Sequence, residues 1–323
     1  MHFTHSDNQK YTDMKRFFVT LAAVALASSM VFAQDLSQAT ELYNAAAEAL
    51  NNGDKEAALA SFEQALTVAE ALGEEGKDVL DNCKKYIPTI KLAIAKDLIK
   101  AKDFDAAYEK LNDAKAAAEK FEAADELDEI NGYIPQVLLS KGNALLSAKD
   151  FAGASTIYKQ ILDGDATNGM AALRLGQALA GAGDNEGAIA AYEQAAANGQ
   201  EANAKKQLSN IFLKNAAASL KEKKFADAVT AALKTCEYGE NAQAYQIAAQ
   251  ASQLSGKNND AIKYFEKYLQ VAPDAKNAGQ IAYTVGALYQ QAKNNAKAKE
   301  FYTKALSDPK FGAEAKKILD TLN

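Results

Sequence analysis

The chain of 323 residues carries 36 Lys+Arg against 42 Asp+Glu, a formal net charge of −6, and is 48% hydrophobic with 2 Cys, 2 His and no Trp. It is long and apolar enough to bury a sizeable core, which excludes disorder. An acidic balance argues against a dedicated nucleic-acid binder, which presents a basic face; two Cys support neither a disulfide scaffold nor a Cys-based zinc module.

Residues 1–13 are polar and look like an upstream extension, with Met14 as the expected initiator. Met14-Lys15-Arg16 is a short basic segment. Phe17 to Met30 is apolar, short for a bilayer span, and runs into Val31-Phe32-Ala33. Small residues at the minus-three and minus-one positions, Val31 and Ala33, fit signal-peptidase cleavage before Gln34. An uncleaved anchor or a buried N-terminal helix is the alternative. No Cys follows, so this is not a lipoprotein signal. The expectation is a periplasmic or secreted protein with no stable membrane insertion after cleavage. Removing residues 1–33 takes away both His, His2 and His5, and leaves Arg174 as the only Arg among 33 basic residues.

The rest of the chain repeats. The aligned strings are GDKEAALASFEQAL (53–66), KDFDAAYEKLNDAK (102–115), KDFAGASTIYKQIL (149–162), GDNEGAIAAYEQAA (183–196), KKFADAVTAALKTC (223–236), KNNDAIKYFEKYL (257–269) and KNNAKAKEFYTKAL (293–306). Each has a polar turn, then an Ala, then usually a large residue four positions on. The Ala residues are Ala58, Ala107, Ala154, Ala188, Ala228, Ala261 and Ala298, spaced 49, 47, 34, 40, 33 and 37 apart. Small residues suit a close helix crossing, and the aromatic four positions later lies on the same helical face, where it is expected to fill the gap to the next repeat. A single repeat cannot bury its own apolar face, so stacking must stabilise the array.

These strings resemble the tetratricopeptide repeat family, whose 34-residue helix–turn–helix carries Ala, aromatic, Ala in its second helix. The set reads Ala58/Phe62/Ala65, Ala154/Tyr158/Ile161, Ala188/Tyr192/Ala195, Ala261/Phe265/Tyr268 and Ala298/Tyr302/Ala305. Leu175-Gly176…Leu179 and Val285-Gly286…Tyr289 match the family's first-helix signature, and Lys141-Gly142…Leu145 matches it in part. The family's Trp is missing, and Leu111 and Ala232 stand where two aromatics belong. The resemblance implies an all-α, α-α superhelix, a solenoid of about seven repeats over 34–310: 36–72, 84–122, 135–167, 169–200, 209–240, 242–275 and 279–310. A polar helix over 311–323 is expected to cap it.

All four Pro fall near repeat boundaries. Pro88 and Pro135 sit in matching Tyr-Ile-Pro strings and are expected in the first turn of a first helix, where a missing N–H costs nothing; Pro273 and Pro309 fall between one repeat and the next. The extra length before Pro88 and Pro135 reads as longer helices rather than loops.

Catalytic chemistry is poorly represented. Without His, no Ser-His-Asp, Cys-His or His-metal site exists beyond residue 33. No phosphate-cradling Gly-rich loop is present. Carboxylate pairs such as Glu74/Glu75 and Asp125/Glu126 read as solvated faces, and the Asp163-Gly164-Asp165 turn lacks the further ligands of a calcium loop. Cys83 and Cys236 lie in distant repeats and are not expected to meet; Cys236 stands where other repeats carry Leu66 or Leu162 and is expected to be buried. The expectation is therefore a non-enzyme with no cofactor and no metal. A carboxylate-only glycosidase is the one form of enzyme that would survive, and it needs two carboxyls facing across a cleft.

By the resemblance, first helices line a concave groove that binds peptides or partner helices. Carried over by position, the groove residues are Leu139 and Asn143, Arg174 and Gln177, Lys214, Gln243, Gln246 and Gln250, and Gln280 and Tyr283. The expected binding set is Asn143, Arg174, Gln177, Lys214, Gln246, Gln250 and Tyr283. Asn143 and Lys214 match two positions of the family's carboxylate clamp, but Arg174 replaces a clamp Asn, and Leu139 and Asn210 replace its two Lys, so chaperone-tail binding is not expected. The expected function is a protein–protein interaction scaffold in a bacterial envelope, taking an acidic peptide or a free C-terminus and no nucleic acid. The alternative is a structural subunit of an envelope-assembly complex that uses convex or terminal surfaces.

Overall fold

The computed structural model describes residues 30–322, and among them only helices and turns occur. In chain order these are α1 (Met30–Asn51), α2 (Lys55–Ala71), α3 (Lys77–Ala101), α4 (Phe104–Lys120), α5 (Ala124–Ser147), α6 (Phe151–Gly164), α7 (Gly169–Ala182), α8 (Asn185–Ala195), α9 (Glu201–Lys221), α10 (Phe225–Glu237), α11 (Ala242–Leu254), α12 (Asn258–Val271), α13 (Ala278–Gln291), α14 (Asn295–Lys304) and α15 (Gly312–Thr321). The apolar leader Phe17–Ser29 lies outside the described residues; Val31-Phe32-Ala33 falls at the start of α1.

The chain divides into two units, Met1–Ala148 and Lys149–Asn323. The first holds α1–α5 and the second α6–α15. Within each, helices pack on their sequence neighbours, the order of a helical solenoid. The seven expected repeats fall on the pairs from α1/α2 to α13/α14, and α15 follows as the expected C-terminal helix. The division lies at the turn between α5 and α6, inside the third expected repeat.

The turn inside each repeat follows one plan. A residue in the left-handed region ends the first helix: Gly53, Lys102, Lys149, Gly183, Lys223, Gly256 or Lys293, with φ between 58° and 87°. The N–H of the next residue reaches back five positions, as from Asp54 to the Ala49 carbonyl (3.0 Å) and Asp184 to Leu179 (2.9 Å), the closure that satisfies a helix's last carbonyls. That same residue then caps the second helix. Asp54, Asp103, Asp150, Asp184 and Asn294 accept from the N–H three positions on. Lys224 and Lys257 hold the equivalent places and make no side-chain cap. The four lysines in the left-handed region are strained, at about 1–2 kcal/mol each.

The helix crossings are built on small residues. Ala58, Ala107, Ala154, Ala188, Ala228, Ala261 and Ala298 are all fully buried. A Cβ on Gly176 would lie 2.6 Å from Tyr192 Cδ1, and one on Gly286 would lie 3.0 Å from Tyr302 Cδ1. The aromatic of the second helix thus rests on the bare backbone of its own repeat's first helix. This contact adds to the expected one with the next repeat, where Tyr192 shares a core with Ala204 and Leu208. Phe62 does both, meeting Tyr43 of its own repeat and Tyr86 of the next at ring-centroid distances of 5.3 and 5.8 Å.

Pro88 and Pro135 are also displaced from expectation. They lie inside α3 and α5, which run 25 and 24 residues, rather than in a first turn. The added sequence before each proline continues the helix straight through it. An interior proline costs about 3 kcal/mol, because a hydrogen bond is lost and the ring crowds the carbonyl four residues back. Burial around it opposes that cost: Ile87 and Ile90 flank Pro88, and Ile130 and Val137 bracket Pro135, all nearly inaccessible. Pro273 and Pro309 do fall in turns, ahead of α13 and α15.

Candidate functional site

Helix α7 places Arg174. Asn168 caps the helix by accepting from the Ala171 N–H at 3.0 Å. Leu173, Leu175 and Ala178 bury its apolar side, which leaves Arg174 and Gln177 together, one turn apart, on a half-buried face. Arg174 Nη1 donates to Gln177 Oε1 at 2.9 Å. Its Nε is buried and has no acceptor. A donor in that condition costs about 1–3 kcal/mol, and more on a charged group. No ion pair fixes the guanidinium among the described residues. Nearby, burial pushes the Tyr158 hydroxyl up to about 12, and the Arg174 cation opposes that shift. The arrangement is an oriented cation, steadied by an amide, with no ion pair among the described residues.

The other expected groove residues distribute over successive first helices. Asn143 lies on α5 in the first unit. Lys214 is exposed on α9, and Gln246 and Gln250 are half-buried on α11. Tyr283, on α13, packs between the rings of Tyr302 (5.3 Å) and Phe311 (5.1 Å), so its ring serves the junction with the C-terminal helix. Of the seven residues, the structure joins Arg174 and Gln177 by a hydrogen bond. Sequence reasoning missed Tyr158 as Arg174's neighbour, because repeat register showed it only as a core ring.

Both cysteines are free. Cys83 is buried beside Tyr43 and Tyr86, and burial pushes its thiol up to about 12. Cys236 is only half-buried, short of the expectation, and burial likewise raises its pKa. A raised thiol is a poor nucleophile. No group of three or more His, Cys, Asp or Glu suited to a metal occurs among the described residues, and no described helix is long and apolar enough to cross a membrane. In the first unit, a depression of about 310 Å³ is lined by Glu56, Leu59, Glu63, Lys91, Ile94 and Asp113. The Lys91–Glu63 ion pair, 3.0 Å, lies across it.

The profile of the tetratricopeptide repeat family matches residues 40–72, 242–275 and 279–307, which fall on the first, sixth and seventh expected repeats. No curated protein matches the chain. Among solved structures, MamA is 20% identical over 54% of this chain and 96% of its own, with a TM-score of 0.31. YrrB, described as a TPR protein with an unusual peptide-binding site, is 19% identical over 56% of this chain and 91% of its own, at 0.32. PilF of Pseudomonas aeruginosa is 16% identical over 56% of this chain and 79% of its own, at 0.30. Superpositions this partial carry no argument about shape or site.

Proposed function

The chain carries tetratricopeptide repeats, and from that premise we propose that it is a non-enzymatic scaffold whose first helices bind an acidic peptide or a free C-terminus. One observation carries this reading. Arg174 is held half-buried by Gln177, with a buried Nε lacking an acceptor and, among the described residues, no carboxylate neutralising its charge. Stability alone does not favour such a residue, since an apolar side chain would remove the unmet donor. A guanidinium suits a carboxylate through its planar fork, which a lysine does not reproduce. The reading extends to Lys214 and Gln246 on later first helices, whereas Gln250 lines a depression with Leu220, Phe225 and Leu254.

Arg174→Ala is expected to weaken binding of the partner by about 1.5–3 kcal/mol, and Arg174→Lys by less. The partner is recovered by pull-down from envelope extract and titrated calorimetrically, with circular dichroism as the folding control. Equal affinity for wild type and Arg174→Ala removes this site. The proposed setting is the bacterial periplasm or exterior, motivated by the Met14–Ala33 segment. Mass spectrometry of cell-derived protein is expected to find Gln34 at the N-terminus; an intact Met1 or Met14 terminus on the mature species overturns it.

A second reading, assembly through other surfaces, is favoured by the depression between α2 and α4 with its apolar Leu59 and Ile94. It predicts binding that Arg174→Ala leaves intact and Leu59→Glu abolishes.

A further inference from the structure

The turn edge of the fifth and sixth repeats departs from the rest of the array in both shape and charge. There α9 and α11 end side by side, and α10 begins. Leu220, Phe225 and Leu254 form an open cup of about 450 Å³, bounded by Lys221, Lys223, Gln250 and Gln253. Leu254 is 65% exposed, the most exposed large apolar side chain among the described residues. A leucine at the last position of a helix is easily replaced by a polar residue, and here no described residue covers it.

Beside the cup, the turns carry lysine where four other repeats carry aspartate. Asp54, Asp103, Asp150 and Asp184 put a carboxylate after the left-handed residue of their turns. Lys224 and Lys257 stand there in the fifth and sixth repeats. Lys224 is neutralised by Glu222 at 2.9 Å. Lys221 and Lys223, which line the cup, are exposed and have no ion pair among the described residues. The chain as a whole is at −6, so this rim is a basic spot on an acidic molecule. An acidic segment is repelled by the general surface and drawn to this edge.

We propose that this cup is a second docking site, separate from Arg174, for a partner-protein segment that presents a large apolar side chain flanked by carboxylates. The apolar side chain lies against Leu220, Phe225 and Leu254; the carboxylates meet Lys221 and Lys223. Gln250 and Gln253 supply amides to the segment's backbone. An exposed apolar patch ringed by polar groups is the usual form of an interaction surface, and the lysines select an acidic partner over a basic one.

The probe is a fluorescein-labelled peptide with a central Leu-Phe pair and two glutamates on each side, followed by anisotropy against the full chain. Replacing its glutamates by glutamines, or its Leu-Phe by Ser-Ser, is expected to weaken binding at least about tenfold. Lys221→Glu/Lys223→Glu in the protein is expected to do the same, and Leu254→Ala to weaken it about fivefold. In the Arg174→Ala background, where the α7 site no longer competes for an acidic peptide, the same losses are expected, which separates this site from the one on α7. The substituted side chains are exposed, so circular dichroism is expected to match wild type. The proposal is overturned if the glutamate and glutamine peptides bind alike, if the charge-reversed protein binds as wild type does, or if Arg174→Ala abolishes binding. It is also overturned if sedimentation shows a self-association that Leu254→Ala breaks, since the cup's occupant would then be a second copy.

Discussion

In the first unit, charged side chains reach from helix to helix. Lys55 pairs with Asp97, Lys91 with Glu63 at 3.0 Å, Lys96 with Glu129 at 2.5 Å and Lys141 with Asp105 at 2.5 Å. In the second unit, the ion pairs among the described residues stay within four positions of sequence: Lys205–Glu201, Lys224–Glu222, Lys234–Glu237, Lys297–Glu300, Lys304–Glu300 and Lys317–Glu314. The two units share a repeat plan and differ in where their charge goes. Long helices within the 49- and 47-residue spacings present lysine stems to the neighbouring helix, as Lys91, Lys96 and Lys141 do. Arg174, Lys214, Lys221 and Lys223 of the second unit have no ion pair among the described residues, as Lys84, Lys102 and Lys110 of the first have none. The proposed partner sites at Arg174 and at the Leu254 cup both lie in the second unit.

The largest expected effect tests whether the units are separate in stability. Phe62→Ala empties a fully buried ring site between α1, α2 and α3 and is expected to cost about 3–5 kcal/mol. Amide exchange should accelerate through residues 35–120 and stay near wild type through α11–α14; equal acceleration in both units breaks the comparison. Next is Ala188→Leu, which overpacks a closed crossing in the second unit at about 1–3 kcal/mol. It should lower the melting transition, and an unchanged melt contradicts the repeat register.

Alkaline titration sharpens the contrast further. Burial raises the Cys83 thiol from 9.0 to about 12 in the first unit. In the second, burial raises Tyr158 and Tyr192 from 10.0 to about 12. A group whose folded pKa is raised contributes stability that is complete below its free value and is lost as pH climbs toward the folded value. Both units are thus expected to begin losing stability near pH 9, through Cys83 in the first and Cys236 in the second, and the tyrosines add to the loss from near pH 10, read by chemical denaturation at stepped pH. Cys83→Val should move the first unit's onset up. The smallest effect is a gain: Lys102→Gly or Lys223→Gly relieves a left-handed lysine. Set against the entropy of glycine, each should add about 0.5–1 kcal/mol. A loss on either substitution would place the strain elsewhere.

The repeats were legible because a tight crossing admits few residue types, so Ala188 and its counterparts recur whatever surrounds them. Helix extents were less so. Pro88 and Pro135 carry a strong local signal for a helix start, and tertiary burial of Ile87 and Ile130 overrode it. Arg174 stood out by composition alone, yet its unmet Nε depends on Tyr158 and the α7 surroundings, which no spacing encodes. The cup at Leu254 did leave a trace, since Lys224 and Lys257 break the run of Asp at the turns. That trace becomes readable once the left-handed residue is known to fix the register.

The contact of Tyr192 with Gly176 constrains how this chain can change. The two positions are sixteen residues apart, as are Gly286 and Tyr302. At the same interval in other repeats, Ala46 precedes Phe62, Ala95 precedes Leu111, Ala216 precedes Ala232 and Ala249 precedes Phe265. Tyrosine accompanies glycine, and the residues lacking its hydroxyl accompany alanine. A methyl added at Gly176 would collide with the ring, so a viable lineage passes from one pairing to another by altering both codons, or by altering the ring first. Each of the two positions limits what the other can hold.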